Sequence, residues 1–397
     1  MSTSPGAAAR TTIIAGVPQT NMAVFHRIRF KAGDPAAVIT FANGHSPGGG
    51  KGSTLIIRDI EMERAKAKVK VDRVACPADF APTSGLSGDR PTATAQAAAE
   101  CLVRAGVKEV WTDRTLPMIF AHHLSERGIA LRYDPDMGVS QRRHKDAQEV
   151  EWLREAQLAT ESAIEMACRL ISRATPDRTG VLQHEGAALT AERVMSEIDI
   201  WLLKRGYADS DSIVACGPVG GDCHERGRGN LTTEQPIIVD VFPRSKATLY
   251  VGDCTRMVVH GKPGNIPEVV RKMHAAVKEA KDAAIGAMRA GTTGDAVHKV
   301  VIGVMAKHGY PMGLPKAGDP PTRIAMVHGT GHGVGLELKE QPLLDLNGPE
   351  LVEGDAITVE PGLYAPAIGG MRLEDMVIVR KNGVENLDRL HEGLTWD

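Results

Sequence analysis

Residues 237–259 read IIVDVFPRSKATLYVGDCTRMVV, two apolar, β-branched runs that each enclose one acid, Asp240 and Asp253. Such runs suit strands, and burying an unpaired carboxylate in one costs several kcal/mol. Something cationic is needed to neutralise both. A turn at RSKAT, residues 244–248, with its midpoint between Lys246 and Ala247, makes the two runs a hairpin and sets Asp240 directly opposite Asp253. Directly opposed Cβ atoms lie roughly 5 Å apart, where two bare carboxylates repel and two carboxylates sharing a metal ion do not.

The pattern recurs near the C-terminus. Glu360 in AITVEPGLY and Glu374 in GMRLEDMVIV are symmetric about Ala367, inside the turn-like APAIGG, so a second hairpin again pairs acid with acid. Between the two hairpins lies VHGTGHGVGLELKEQP, residues 327–342, too rich in glycine for a helix. If it is extended, His328, Thr330 and His332 share one face and both imidazoles reach one site. Four carboxylates with one or two histidines supply about four negative charges, which matches two divalent cations. The oxygen-rich set suits Mn²⁺, Fe²⁺, Co²⁺ or Zn²⁺, and a two-metal hydrolytic site follows.

The rest of the chain places these segments. At 397 residues it is long enough for two domains. From Thr54 to about Asp136, β-rich runs (TLIIRD, VKVDRVA, KEVWTD, IALRYD) alternate with helical ones (IEMERAKAK, AQAAAECLVRAG, LPMIFAHHLSERG), which predicts an α/β domain over 1–145. The first fifty residues read as an Ala- and Gly-rich tract. Residues 146–397 use a helix-helix-strand-strand unit twice, predicting an α+β domain with pseudo-twofold repeats. Pro267 and Gly291 mark the ends of the third long helix, and Thr292 with Asp295 resembles a capping box for the fourth.

Composition excludes several function classes. Lys and Arg number 47 against 49 Asp and Glu, so no electrostatic reason exists to expect nucleic acid or an anionic membrane as partner. Aromatics, at 4%, are too few for base-stacking surfaces. The six cysteines form no CxxC pair, and neither a signal peptide nor a long apolar span is visible, so a cytoplasmic protein is expected. Two phosphate-loop look-alikes fail. HSPGGGKGST has His45 and Gly52 where Gly and Ser or Thr are required and runs into a strand, and GTGHGVG has Val334 at the last required glycine, with Pro342 and Pro349 excluding a long helix behind it.

The ordered series Asp240, Asp253, His332, Glu360, Glu374, within DVFPR, GDCTR, HGTGHGVG, VEPGLY and RLED, resembles the pita-bread metallopeptidases: methionine aminopeptidase, aminopeptidase P, prolidase and creatinase. The likeness covers the whole second half. The first half resembles the creatinase-type N-terminal domain of the aminopeptidase P, prolidase and creatinase branch. The resemblance implies that Asp240 chelates one metal, His332 and Glu360 the other, and that Asp253 and Glu374 bridge both. Mn²⁺ is the first expectation, with Co²⁺, Fe²⁺ and Zn²⁺ as alternatives. It implies Glu360 as proton carrier, His328 on the tetrahedral intermediate, and His224, Lys339 and Arg372 in the substrate pocket. Arg372 and Thr255 match positions that orient a bridging carboxylate. Two departures stand out. The segment from Asp240 to Asp253 is two residues longer than is usual in the family, and Lys339 occupies the place of a second substrate-facing histidine. Gly333 and Gly335 suit the bend that would bring Lys339 to the site. The expected activity is hydrolysis of an Xaa-Pro bond in a dipeptide or longer peptide, with a creatinase-like C–N hydrolase of small amides as the alternative and a non-catalytic interaction module behind both. The branch also implies a homodimer.

Overall fold

Asp146 begins a 26-residue helix, Ala147–Ser172, with a reciprocal cap: its carboxylate accepts the Glu149 amide and the Glu149 carboxylate accepts the Asp146 amide, both at 2.9 Å. Two N–H groups that the first turn leaves without helical partners are satisfied at once. In the computed structural model, which describes residues 10–42, 52–208 and 211–397, this helix belongs to the second of two compact units, Met1–Arg142 and Arg143–Asp397.

The first unit is built on a six-stranded mixed sheet in the order Arg73–Ala75, Ser53–Ile56, Ala36–Thr40, Thr12–Gly16, Glu109–Thr112, Ala130–Tyr133. Alternate residues feed opposite faces. Ile13, Ala15, Ala37 and Ile39 pack under helices Arg90–Arg104 and Met118–Glu126, while Ala36, Val38 and Leu55 pack with Val24 and Ile28 of helix Met22–Ile28 and Ala65 of helix Met62–Lys68. Within the first fifty residues, expected as an Ala- and Gly-rich tract, residues 10–42 form regular structure instead. TIIAG and AAVIT are the two strands at the centre of this sheet, hidden in the sequence by their alanines and by their five-residue length. The look-alike loop at residues 45–51 lies outside the described residues. The strand Ser53–Ile56 follows it, as expected.

In the second unit each helix pair packs on its own sheet. Ala147–Ser172 and Ala191–Leu203 cover one face of a three-stranded sheet, Ile213–Cys216, Pro236–Val241 and Cys254–Val259, through Val214, Val239 and Val258. The other face, with Ala215, Ile238 and Met257, joins a second core under helices Glu268–Ala287 and Gly294–Lys307. That core also holds a five-stranded sheet in the order Glu340–Leu344, Gly331–Gly333, Ala356–Val359, Asp375–Arg380, Gly383–Asn386. Among the described residues no helix is long and apolar enough to cross a membrane.

Three local expectations change. The fourth helix is capped by Thr293, whose hydroxyl accepts the Ala296 amide at 3.1 Å, and not by Thr292. The third helix stops at Ala287, short of Gly291. The long run around His328 is strand only over Gly331–Gly333, and its partner strand Glu340–Leu344 is one the Pro-containing EQPLL had concealed.

Candidate active site

Pro236–Val241 and Cys254–Val259 do form an antiparallel hairpin, but Asp240 lies opposite Thr255 and not opposite Asp253. Leu249, in the left-handed region at φ 66°, closes a turn centred one residue later than RSKAT suggests, so the register moves by two residues. An even shift keeps faces unchanged. Asp240, Asp253 and Thr255 therefore share one face, and carboxylate oxygens of Asp240, Asp253 and Glu374 lie within 4.8 Å of one another, all buried. The backbone of Asp253 is gripped on both sides by Gln157, whose amide donates to the Asp253 carbonyl at 2.8 Å and whose oxygen accepts its N–H at 3.0 Å.

The second hairpin matches its prediction. Gly362–Ala365 and Gly369–Arg372 pair symmetrically about Ala367, and Ala356–Val359 pairs with Asp375–Arg380 on the same centre. Glu360 and Glu374 fall opposite each other in the gap between the two ladders. Glu374 accepts from the Thr255 hydroxyl at 2.7 Å, and the Thr358 hydroxyl lies 3.4 Å from Glu360.

The glycines of GTGHGVG serve close approach. A Cβ at Gly331 would collide with the Thr358 carbonyl, and one at Gly333 with the Gln341 carbonyl, so His332 is pressed between two neighbouring strands. Its Nδ1 lies 3.1 Å from the Gly333 carbonyl, and its Nε2 lies 3.4 Å from Glu360 and 3.9 Å from Asp253. With the proton on Nδ1 the Nε2 lone pair faces the acids, the arrangement a metal-ligating histidine needs. The expected common face of His328, Thr330 and His332 holds only for the histidines. The chain bends at His328, and Thr330 turns into the core to bond His298 at 2.8 Å. His328 places Nδ1 2.7 Å from the Gly329 carbonyl and Nε2 2.9 Å from the Tyr364 hydroxyl.

Arg372 ties this shell together. It donates to Asp240 at 2.6 Å, to Tyr364 at 2.7 Å and to Thr255 at 3.2 Å. Even so, acid exceeds base. Burial pushes the Asp253 carboxyl well above the ordinary range, and the charges of Asp240 and Glu360 push it further. Glu374 is raised the same way, by burial and then by Asp253. Asp240 is raised by burial against the pull of Arg372, and its Oδ1 is buried without a hydrogen-bond partner. Burial holds the His328 imidazole toward its neutral form and keeps the Tyr364 hydroxyl protonated.

The nine residues expected as metal ligands, catalytic groups or substrate contacts, Asp240, Asp253, His332, Glu360, Glu374, His328, His224, Lys339 and Arg372, line one cavity of about 410 Å³, with Thr255 behind them on Glu374. The sequence reading missed Tyr364 and Gln157. Gln157 is one of several buried polar residues of its helix, with Thr160 and Glu161, so residue type alone does not single it out.

Residues 151–381 match Metallopeptidase family M24, more than half of the chain, and the chain belongs to that family. The Xaa-Pro dipeptidase of Pyrococcus furiosus is 29% identical over 241 residues, 58% of this chain and 62% of that protein, so the match spans less than two thirds of the relative. The Xaa-Pro dipeptidase structure from Bacillus anthracis superposes with a TM-score of 0.77 at 21% identity, covering 98% of this chain and 95% of that one. The X-Pro aminopeptidase of Thermotoga maritima gives 0.76 at 20% identity, covering 98% and 97%. The fold is a creatinase-like N-terminal domain followed by a pita-bread domain.

Proposed function

We propose that the chain is a dinuclear metallohydrolase that cleaves the amide bond of small Xaa-Pro peptides. One observation carries this reading: buried carboxylates converge with an orphaned Asp240 oxygen and the His332 Nε2, while Arg372 is the buried protein cation among them. Such a donor set is stable at neutral pH with divalent cations among it. Asp240 would hold one ion, His332 and Glu360 the other, and Asp253 and Glu374 both. The oxygen-rich set suits Mn²⁺, and also Co²⁺, Fe²⁺ or Zn²⁺. When bound, the ions polarise the scissile carbonyl and bring the pKa of the attacking water toward neutrality.

The side chains divide the remaining work. Glu360, half-buried at the cavity edge, accepts the water's proton and passes it to the leaving nitrogen. Arg372 and Thr255 hold Asp240 and Glu374 in place. His328 reaches a developing oxyanion by exchanging Tyr364 for the substrate oxygen at Nε2, and the growing negative charge favours the proton it must then carry. The names of the relatives support Xaa-Pro peptides as substrates. The free state of all six cysteines accords with a cytoplasmic enzyme, and the family likeness supports a homodimer.

The test is a screen of Mn²⁺- and Co²⁺-loaded protein against Xaa-Pro dipeptides, longer Xaa-Pro peptides and small amides. Cleavage of an Xaa-Pro bond is the expected result. Turnover of small amides alone would move the assignment to a non-peptide C–N hydrolase.

A further inference from the structure

Lys339 is a cation of this cavity with no hydrogen-bond or ion-pair partner among the described residues. Arg372 is committed to Asp240, Thr255 and Tyr364, and Arg226 pairs with Asp211 at 3.0 Å. Lys339 lines the cavity, is exposed, and makes no hydrogen bond or ion pair among the described residues. It is near enough to the acids for its charge to act on Asp253, against the larger upward effects of burial and of Asp240.

Its root is nevertheless fixed. A β-bulge between His332 and Gly333 sets His332 opposite Leu343 and Gly333 opposite Glu340, which turns the preceding residue, Lys339, toward the site. Glu340 is anchored by an ion pair with Lys145 at 3.2 Å, both side chains almost wholly buried, and it accepts the Glu337 amide at 3.0 Å. Val251 donates to the Gly335 carbonyl at 2.9 Å, and Arg244 donates to the carbonyls of Leu336 and Leu249. The loop is thus clamped on both sides of the Lys339 ammonium group.

We propose that Lys339 is the anchor for a substrate carboxylate, and that the chain prefers dipeptides, whose C-terminal carboxylate is separated from the scissile nitrogen only by the Cα of the leaving residue. The inference rests on the hydrolase reading above: once the acids are compensated by their ions, Lys339 remains as uncompensated positive charge at the cavity. A lysine ammonium donates in several directions and accepts nothing, which suits a carboxylate better than a neutral amide. The cavity, near the lower end of the roughly 300–1,000 Å³ usual for small ligands, suits a dipeptide better than a long chain.

The test compares Ala-Pro, Ala-Pro-amide, Ala-Pro-Ala and Ala-Pro-Glu as substrates of wild type, Lys339→Met and Lys339→Arg. Wild type should favour Ala-Pro over its amide by about tenfold to a hundredfold, mostly through KM. Lys339→Met should erase that ratio and Lys339→Arg should restore much of it. Calorimetry with proline and prolinamide on the metal-loaded proteins gives a readout independent of turnover: proline should lose at least tenfold in affinity in Lys339→Met and prolinamide should not change. A preference for Ala-Pro-Glu over both Ala-Pro and Ala-Pro-Ala would assign the anchor to an acidic side chain and overturn the dipeptide claim. Equal amide-to-acid ratios and equal proline affinity in all three proteins would overturn the anchor while leaving the peptidase reading intact. Absence of any peptide cleavage with proline affinity still dependent on Lys339 would do the reverse.

Discussion

Two buried acid clusters share the same pair of strands, and neighbouring residues belong to different ones. Thr255 and Glu374 face the cavity with Asp240 and Asp253. Arg256 and Asp375, each one residue further on, face the other way and meet at 2.8 Å, with Lys281 also on Asp375. In this closed cluster the protein supplies its own cations. Burial works against the Asp375 charge, but Arg256 and Lys281 more than offset it, and its carboxyl is held below the ordinary value. Asp388 alongside is pushed up to about 7 by burial while accepting from Gln157 and the Met376 amide. In the open cluster Asp253 and Glu374 are driven far upward. A buried acid matched by Arg and Lys is structure, and an unmatched one requires something from outside.

The largest effect should come from the open cluster's chemistry. Glu360→Gln keeps an oxygen ligand and cannot carry a proton, so kcat should fall by about 10²–10⁴ with the melting temperature nearly unchanged. Near-normal turnover in this variant would remove Glu360 from the proton path. The closed cluster should respond in the opposite sense. Arg256→Met leaves Asp375 with Lys281 as its cation and takes a buried donor from the carbonyls of Glu374 and Leu390, so it should cost about 3–5 kcal/mol of stability, read by denaturant unfolding. If Arg256→Met is as stable as wild type, the contrast between the clusters is wrong.

Metal content separates them next. Protein reconstituted with excess Mn²⁺ should approach two equivalents, and Glu374→Ala should lower that number, whereas Arg256→Met should not. Saturation at one equivalent, unchanged in Glu374→Ala, would refute the bridging assignment.

Proton linkage gives a smaller signal with a definite sign. Asp253 and Glu374 have folded-state values above their unfolded ones, so the folded metal-free protein binds more protons than the unfolded chain once the pH passes the ordinary carboxylate range. Its stability should therefore fall as pH rises from there through the raised values, and should be highest on the acid side of that window. Saturating Mn²⁺ should flatten the slope. A metal-free protein with no such loss, followed by thermal melts between about pH 5 and 8, would mean that the acids are already compensated.

The contrast also marks what the sequence could disclose. An acid inside an apolar run is legible because burial makes it anomalous, which is why Asp240, Asp253, Glu360 and Glu374 could be picked out singly. Their partners were harder. Ala367 is the centre of a symmetric turn and placed Glu360 against Glu374 correctly. The left-handed Leu249 gave no residue-type signal and moved the other hairpin by two. Thr293 capped a helix that Thr292 had been expected to cap, because adjacent threonines offer the same chemistry. Tyr364 and Gln157 act through contacts distant in sequence, with His328 and with the Asp253 backbone, and no local pattern encodes these. The strands TIIAG and AAVIT were invisible because alanine has little strand preference of its own.

His224 tests where the open cluster ends. It is exposed on the cavity wall, and its backbone is held by the Asp222 carboxylate at 3.0 Å, so its place is set by the loop and not by the acids. If it contacts substrate alone, His224→Ala should lower kcat/KM by about tenfold, the scale of one hydrogen bond to a developing charge. Bound Mn²⁺ and the melting temperature should then equal those of wild type. A variant that loses metal would place His224 inside the cluster, and the boundary drawn between metal ligands and pocket wall would have to move outward to include it.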